Sequence, residues 1–132
     1  MATATLTIPP QAEQVRTARL VTTAAARRCG VAEDRIDEIR LAVGEVIARS
    51  VLRQQRAGLP NPVVIDITDD NEQFTVRVLE ATDPDFSDED GGLSLSVVRA
   101  LAFECDIVPA GSGSGCEIRL AWPVAEDLLG LE

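Results

Sequence analysis

The sequence predicts an α+β fold, a two-layer α/β sandwich in which a mostly antiparallel sheet carries helices on one face. Three observations predict it. Apolar residues recur at helical spacing over residues 34–52. In two pairs of short segments elsewhere in the chain, apolar and polar residues alternate, and turn residues separate the two segments of each pair. Helical and extended segments come in separate runs, in the order β, α, α, β, β, α, β, β, which favours a helical layer on one face of an antiparallel sheet.

The first two elements are a strand and a helix. Residues 3–8 are expected to form a short strand that ends at Pro9 and Pro10, and residues 12–28 have helical composition up to Gly30. The expected buried face of this helix comprises Val15, Ala18, Leu20, Val21 and Ala25. A basic side is formed by Arg16, Arg19, Arg27 and Arg28. Solvation is the simplest interpretation of that side.

A second helix is expected over residues 33–56. Its buried stripe comprises Ile36, Ile39, Val43, Val46, Ile47 and Val51. Leu41, Glu45 and Arg49 follow one another at four-residue steps, so Glu45 and Arg49 project side by side from the helix. An acid at this place could be catalytic, whereas an arginine one turn later can pair with it in a surface ion pair. Both interpretations of Glu45 stay open.

The remaining segments complete the predicted sheet. Residues 63–68 and 74–79 alternate as in a β-hairpin around a polar turn. After them we expect a loop over 80–92, a helix over 93–102, and strands over 104–108 and 116–122 joined by the turn 111–115. The loop carries Asp83, Asp85, Asp88, Glu89 and Asp90. Their spacing does not fit a calcium loop, so an acidic surface loop is the simplest interpretation.

Length and charge bound the classes of function. The 132 residues suit one domain over residues 1–132, in which 124–132 form a short C-terminal tail. Acidic residues outnumber basic ones by 22 to 12, which gives a net charge of −10. This field repels phosphate backbones and anionic membranes, so we expect no direct nucleic-acid or membrane binding. A partner with basic patches fits the charge, and so does solubility alone.

Composition excludes several chemistries. The chain has no histidine and all 12 basic residues are arginines, which excludes a Ser/His/Asp site, a Cys/His site and a P-loop lysine. Cys29, Cys105 and Cys116 are odd in number and widely spaced, so neither a disulfide framework nor a metal site is expected. The sequence shows neither a secretory signal nor about 20 consecutive apolar residues, and a cytoplasmic protein is expected.

Three segments in this order resemble the landmark motifs of the GHKL (histidine-kinase-like ATPase) superfamily. They are DEIRLAVGEVIARSVLRQQ, GGLSLSVVRALAFECDIV and GSGSGCEIRLAWP. More narrowly, the chain is similar to the small bacterial anti-sigma-factor serine/threonine kinases of stress response and sporulation, over residues 3–123. The resemblance implies a GHKL (Bergerat-like) fold, with ATP and Mg²⁺ as possible cofactors.

The resemblance assigns roles to two residues of the second helix. In that family a glutamate is the general base and an asparagine one turn later holds magnesium. Glu45 takes the place of the glutamate, and Arg49 takes the place of the asparagine. Because a guanidinium has no acceptor for a metal, the departure at Arg49 argues against a magnesium site of the family's type.

The nucleotide motifs depart further. The family's adenine-binding aspartate is replaced by Glu80 or Ala81, depending on a one-residue shift, and Asp83 and Asp85 stand where two glycines would be. Glu80 could still accept a hydrogen bond from adenine, but the backbone freedom of glycine is lost and the acidic loop opposes a polyanion. Gly92 and Ser94 resemble the glycine-rich start of the family's phosphate-binding helix. Gly113 and Gly115 resemble the glycines of the family's last motif.

Two functions follow from the resemblance, and the first is preferred. The chain is expected to be an anti-sigma factor with weak or lost ATP binding, which binds a sigma factor and an anti-anti-sigma antagonist as a homodimer. The alternative is an active serine/threonine kinase that phosphorylates its anti-anti-sigma partner. A domain repurposed for an unrelated role stays open as a third reading. Partner contacts are expected from Arg16, Arg19, Arg35 and Arg40.

Overall fold

Helices and strands follow the predicted order in the computed structural model, which describes residues 2–84, 91–111 and 114–124. The elements are β1 (Ala2–Ile8), a 3₁₀ turn (Ala12–Gln14), α1 (Val15–Arg28), α2 (Glu33–Ala57), β2 (Val63–Asp69), β3 (Gln73–Glu80), α3 (Gly91–Leu101), β4 (Glu104–Pro109) and β5 (Cys116–Pro123). Each predicted element exists, and most bounds differ from the expected ones by one or two residues.

The strands form one sheet in the order β1-β2-β3-β5-β4, and every neighbouring pair is antiparallel. Helix α2 contacts α1, α3, β2 and β3, so it is the central element of the helical layer. The predicted fold class, an antiparallel sheet with helices packed on it, is confirmed.

Helix α2 and the sheet share one aliphatic core. The six residues of the predicted α2 stripe are all buried, none more than 2% exposed. Facing them are buried sheet residues that include Ile65, Val76, Val78, Ile118 and Trp122. Burial of side chains of this size is the main driving force of folding.

The expected buried face of α1 is wrong at two positions. Leu20 is 53% and Val21 is 40% exposed, while Ala18, Thr22, Thr23 and Ala26 are buried. Successive residues of a helix turn by about 100°, so a face centred on Ala18 and Thr22 leaves Leu20 and Val21 towards solvent. Threonine can occupy the buried side because its hydroxyl donates to a backbone carbonyl of the preceding turn, as from Thr22 to Ala18 at 2.8 Å.

The other face of the sheet is polar. Directly opposed residues form a row across all strands, Thr5, Asp66, Arg77, Arg119 and Asp106. Arg77 pairs with Asp66 at 2.8 Å, and Glu117 lies 3.0 Å from Arg119 and 3.7 Å from Arg77. The two arginines tolerate each other because Glu117 lies between them.

Candidate functional site

Residues from the motif segments meet where the C-terminal half of α2 crosses the end of β3 and the start of β5. Glu80 is the last residue of β3 and lies opposite Cys116, the first residue of β5. Ser50, Arg53 and Gln54 approach Glu80 and the chain that follows it from α2. Spacing of three and four residues puts Ser50, Arg53 and Gln54 on one side of the helix, towards the sheet.

Ser50, Arg53 and Glu80 form a buried polar cluster, called the Glu80 cluster below. The Ser50 hydroxyl donates to one carboxylate oxygen of Glu80 at 2.6 Å, and Arg53 Nε donates to the other at 2.7 Å. The side chains of Arg53 and Glu80 are only 2% and 0% exposed. A buried ion pair persists only with such additional hydrogen bonds, because the desolvation of both charges is costly.

Arg49 adds a second positive charge beside the same carboxylate. Its Nη1 lies 3.9 Å from Glu80 Oε1, and its side chain is 10% exposed. The guanidinium at the place of the family's magnesium ligand is therefore directed to Glu80. The ion pair expected between Arg49 and Glu45 stays a prediction, and Glu45 is half-buried on α2 one turn before Arg49.

The backbone after β3 is tied to its neighbours. Arg53 Nη2 donates to the carbonyl oxygen of Asp83 at 2.6 Å, and the Ala81 N–H donates to Gln54 Oε1 at 2.8 Å. The Asp83 carboxylate accepts the Gly115 N–H at 2.8 Å. Ala81 and Asp83, which were candidates for nucleotide contact, thus hold the end of β3 against α2 and the turn before β5.

Gly115 has a structural reason to be glycine. Its φ is +87°, and a Cβ at this residue would lie 2.3 Å from the carbonyl oxygen of Glu80. Both observations require the absence of a side chain. The backbone conformation and the close approach to Glu80 explain a glycine at residue 115 without a bound nucleotide.

The Cys116 thiol is buried next to this cluster. Burial, and after it the nearby Glu80 carboxylate, raise its pKa from the ordinary 9.0 to about 11. Arg53 and Arg49 act in the opposite direction. The thiol is therefore protonated at neutral pH, the form that is a poor nucleophile and a poor metal ligand.

The other candidates are spread over the molecule. Gly92 lies in the first turn of α3. Asp85, Gly113 and the side chain of Ser94 lie outside the described residues. The partner-surface candidates differ in their surroundings. Arg16 is exposed, Arg19 packs against Gly44 of α2, Arg35 lies over the ring of Phe103 at 4.3 Å, and Arg40 pairs with Asp37.

Sequence reasoning missed Ser50 and Arg53. A signal was present, because Arg53 follows Arg49 by four residues and interrupts the apolar side of α2 near Val51. A long cation at such a position implies a buried acid as its partner, and Glu80 ends the buried face of β3, whose other residues are apolar. The pairing itself spans 27 residues of sequence and depends on the fold.

The sequence matches the family described as "Histidine kinase-like ATPase domain" over residues 8–122. The chain belongs to this family, as its motifs indicate. Among solved structures, it is similar to the RsbU and RsbW domains of a Mycobacterium tuberculosis protein, with a TM-score of 0.70 and 17% sequence identity. That similarity covers 92% of this chain and 32% of that chain, and at this identity it concerns the fold. No curated protein matches the sequence.

ATP and magnesium are the cofactors that the family implies, and the residues of this site do not fit them. Of the two residues that the resemblance offers for the adenine position, Glu80 is engaged by Ser50 and Arg53 and Ala81 has no carboxylate, and Arg49 presents a guanidinium where the resemblance expects a magnesium ligand. Within the described residues, no group of three or more acidic, cysteine or histidine side chains could hold a metal ion.

In the same part of the chain, no helix is long and apolar enough to cross a membrane.

Proposed function

We propose that this chain is a regulator of the anti-sigma type that acts by binding proteins and does not use a nucleotide. It holds a sigma factor, and the sigma factor is released when an anti-anti-sigma antagonist binds the regulator. The family and the RsbW-like fold support the class. The single observation that carries the loss of nucleotide binding is the Glu80 cluster, in which a carboxylate that is 0% exposed is held by the Arg53 ion pair and the Ser50 hydrogen bond.

Energetics support this proposal. Because Glu80 is fully buried, an adenine amino group would reach its carboxylate only by displacing a present partner, and displacing Arg53 would leave that guanidinium buried without its counter-ion. Breaking a buried ion pair in this way costs about 3–5 kcal/mol. A hydrogen bond from a neutral donor to a charged acceptor returns only about 1.5–3 kcal/mol. The internal pair is therefore favoured over the ligand at this place.

The charge distribution supports protein partners. A net charge of −10 attracts basic surfaces, such as those of proteins that bind DNA, and speeds their association. Arg16 on α1 and Arg40 near the start of α2 provide local positive groups for contacts with an acidic antagonist. A homodimer in the cytoplasm completes the proposal.

The kinase alternative has one observation in its favour. Glu45 is half-buried on α2 and stands where the family's general base would be, while α3 begins with Gly91 and Gly92. An active kinase would transfer phosphate from ATP to a serine of the antagonist. That reaction needs the nucleotide, so nucleotide binding decides between the two functions.

A calorimetric titration of ATP and then ADP, each with magnesium, into the purified chain is the deciding experiment. The expected result is no heat of binding at millimolar nucleotide. An RsbW-type domain that binds ATP, measured in the same buffer, is the positive control. Micromolar binding by this chain would overturn the loss of nucleotide binding and make Glu45→Gln the next variant to test for phosphotransfer.

Partner binding is tested separately. The chain would be mixed with each sigma factor of its own genome and analysed by size-exclusion chromatography with light scattering. We expect one stable complex without nucleotide, which the matching antagonist dissociates. If no sigma factor forms a complex with or without ATP, the anti-sigma assignment is wrong even though the family assignment stands.

A further inference from the structure

A cleft of about 550 Å³ lies beside the Glu80 cluster, at the C-terminal end of α2. Its apolar wall comes from Ala57, Leu59 and Ala81, and its polar wall includes Thr82, Asp83 and Ser114. Ser50, Arg53 and Glu80 do not line it, whereas Ala81 and Asp83, which the resemblance makes candidates for nucleotide contact, do, so the cleft adjoins the Glu80 cluster on the side of the nucleotide motifs. The volume is within the range of ligand pockets.

Thr82 provides an independent sign of a ligand. The residue is only 2% exposed, and its hydroxyl oxygen is buried without a hydrogen-bond partner. Buried hydroxyls in native proteins are paired as a rule, and an exception calls for an explanation. Because a rotation about χ1 exchanges the hydroxyl and the methyl group, Thr82 can present its oxygen to a molecule in the cleft without a movement of the backbone.

The electrostatics of the cleft favour a cation. Its described lining contains one carboxylate, Asp83, and no basic side chain. Asp83 is exposed and uses one oxygen for the Gly115 N–H, and a carboxylate has acceptor capacity beyond that one bond. Helix α2 ends at Ala57 in the cleft wall, which places the negative end of the helix dipole there. Arg53, which donates to the Asp83 backbone, is paired with Glu80, and neither Arg53 nor Arg49 lines the cleft.

We propose that this cleft binds a guanidinium group on an aliphatic stem, as in arginine. The Asp83 carboxylate and the Thr82 hydroxyl accept its N–H groups, and Ala57, Leu59 and Ala81 pack against the methylene stem. Guanidinium fits better than ammonium because its planar fork can donate to two neighbouring acceptors at once. The group can come from a side chain of a bound protein or from a free small molecule. The proposal does not depend on the regulator function.

The test is a titration of the full chain with L-arginine amide, followed by the backbone amide signals in NMR spectra. We expect saturable shifts confined to residues 57–61, 81–83 and 114–115, with a dissociation constant on the order of 1 mM. Citrulline amide has nearly the same shape and the same α-amino group but an uncharged side chain, and it should cause no saturable shift. Equal shifts with the two compounds, or none with arginine amide at about 10 mM, would overturn the proposal.

Variants locate the site. Thr82→Val removes the hydroxyl at nearly constant volume, and Asp83→Asn removes the charge but keeps an acceptor for the Gly115 N–H. Each is expected to weaken binding of arginine amide about tenfold or more, which is at least about 1.4 kcal/mol. Asp37→Asn, at an exposed carboxylate on the first half of α2, is the matched control and should bind as the unmodified chain does. Unchanged binding by both cleft variants would place the cation elsewhere and refute the assignment.

A second comparison identifies the source of the group. A tripeptide with arginine at its centre is titrated beside L-arginine amide. Tighter binding of the peptide supports a protein side chain as the natural occupant, and tighter binding of the free compound supports a small molecule. Both results require the cleft to bind guanidinium, and failure of both ligands contradicts it independently of any sigma-factor result.

Discussion

At the scale of single residues, Arg53 and Glu80 show how an internal charge can occupy a ligand position. Their side chains are 2% and 0% exposed, so each charge depends on the other for its stabilisation. Ser50 satisfies the second carboxylate oxygen at 2.6 Å. The three residues act together, so the loss of one of them should leave the folded chain less stable than if all three were apolar.

Arg53→Ala should therefore destabilise the chain by up to about 3–5 kcal/mol, because the buried Glu80 carboxylate would lose its close counter-ion and keep only Arg49, 3.9 Å away. Urea denaturation measures this change, with exposed Arg16→Ala as a control expected to cost less than about 0.5 kcal/mol. The double variant Arg53→Met with Glu80→Leu should recover most of the loss, since it removes both charges. A double variant as unstable as Arg53→Ala would contradict the interpretation of the pair.

Gly115→Ala should also be costly, for a steric reason. At Gly115 the φ is +87° and an added Cβ would lie 2.3 Å from the Glu80 carbonyl oxygen. Gly30 has a φ of +90° and open space around it. We expect Gly30→Ala to cost about 1 kcal/mol for the backbone conformation alone, and Gly115→Ala to cost clearly more. Gly111→Ala, which meets neither problem, should be close to neutral. Equal costs at the three positions in urea denaturation would disprove the close approach to Glu80.

Cys116 gives a pH dependence of known sign. Its pKa of about 11 in the folded chain is above the ordinary thiol value of 9.0, so the unfolded chain loses this proton first as the pH rises. Its contribution to stability is present below pH 9.0 and is lost towards pH 11. Cys116→Ala should reduce the alkaline loss of stability in urea denaturation, and Cys29, with a pKa also raised to about 11, should account for part of the remainder. An unchanged alkaline slope in Cys116→Ala would contradict this.

At the scale of elements, the sequence predicts what alternation and helical periodicity encode. The β2–β3 hairpin and the apolar stripe of α2 were predictable because each pattern is local. The buried face of α1 was not, because Thr22 and Thr23 are buried and Leu20 is exposed, against their hydropathy. The Glu80 cluster was not predictable either, because its residues are distant in sequence and only the crossing of α2 and β3 joins them.

The orientation of α1 has a measurable consequence. Leu20→Gln, at a side chain that is 53% exposed, should change the free energy of unfolding by less than about 0.5 kcal/mol. Ala18→Leu, at a fully buried residue, should cost about 1–3 kcal/mol because the helix is held close to α2. The comparison uses thermal or urea denaturation of both variants. A larger cost at Leu20 than at Ala18 would show that α1 packs through its other face.

At the scale of the whole molecule, the proposed loss of nucleotide binding depends on several changes together. Arg49→Asn restores the residue type of the family but leaves the Arg53–Glu80 pair in place. We therefore expect no ATP hydrolysis from this single variant, and no rise of the melting temperature with magnesium ATP, since only a ligand that binds the folded state stabilises it. Measurable turnover by Arg49→Asn would show that Arg49 alone blocks the site.

The Glu80 cluster also determines what information the proposed regulator can receive. Under the proposed function, nucleotide does not bind and the protein does not respond to the ratio of ATP to ADP, so it does not sense the energy state of the cell. Its output then depends on how much of the chain and of each partner is synthesised and degraded. For such a protein, control passes from metabolism to gene expression and proteolysis.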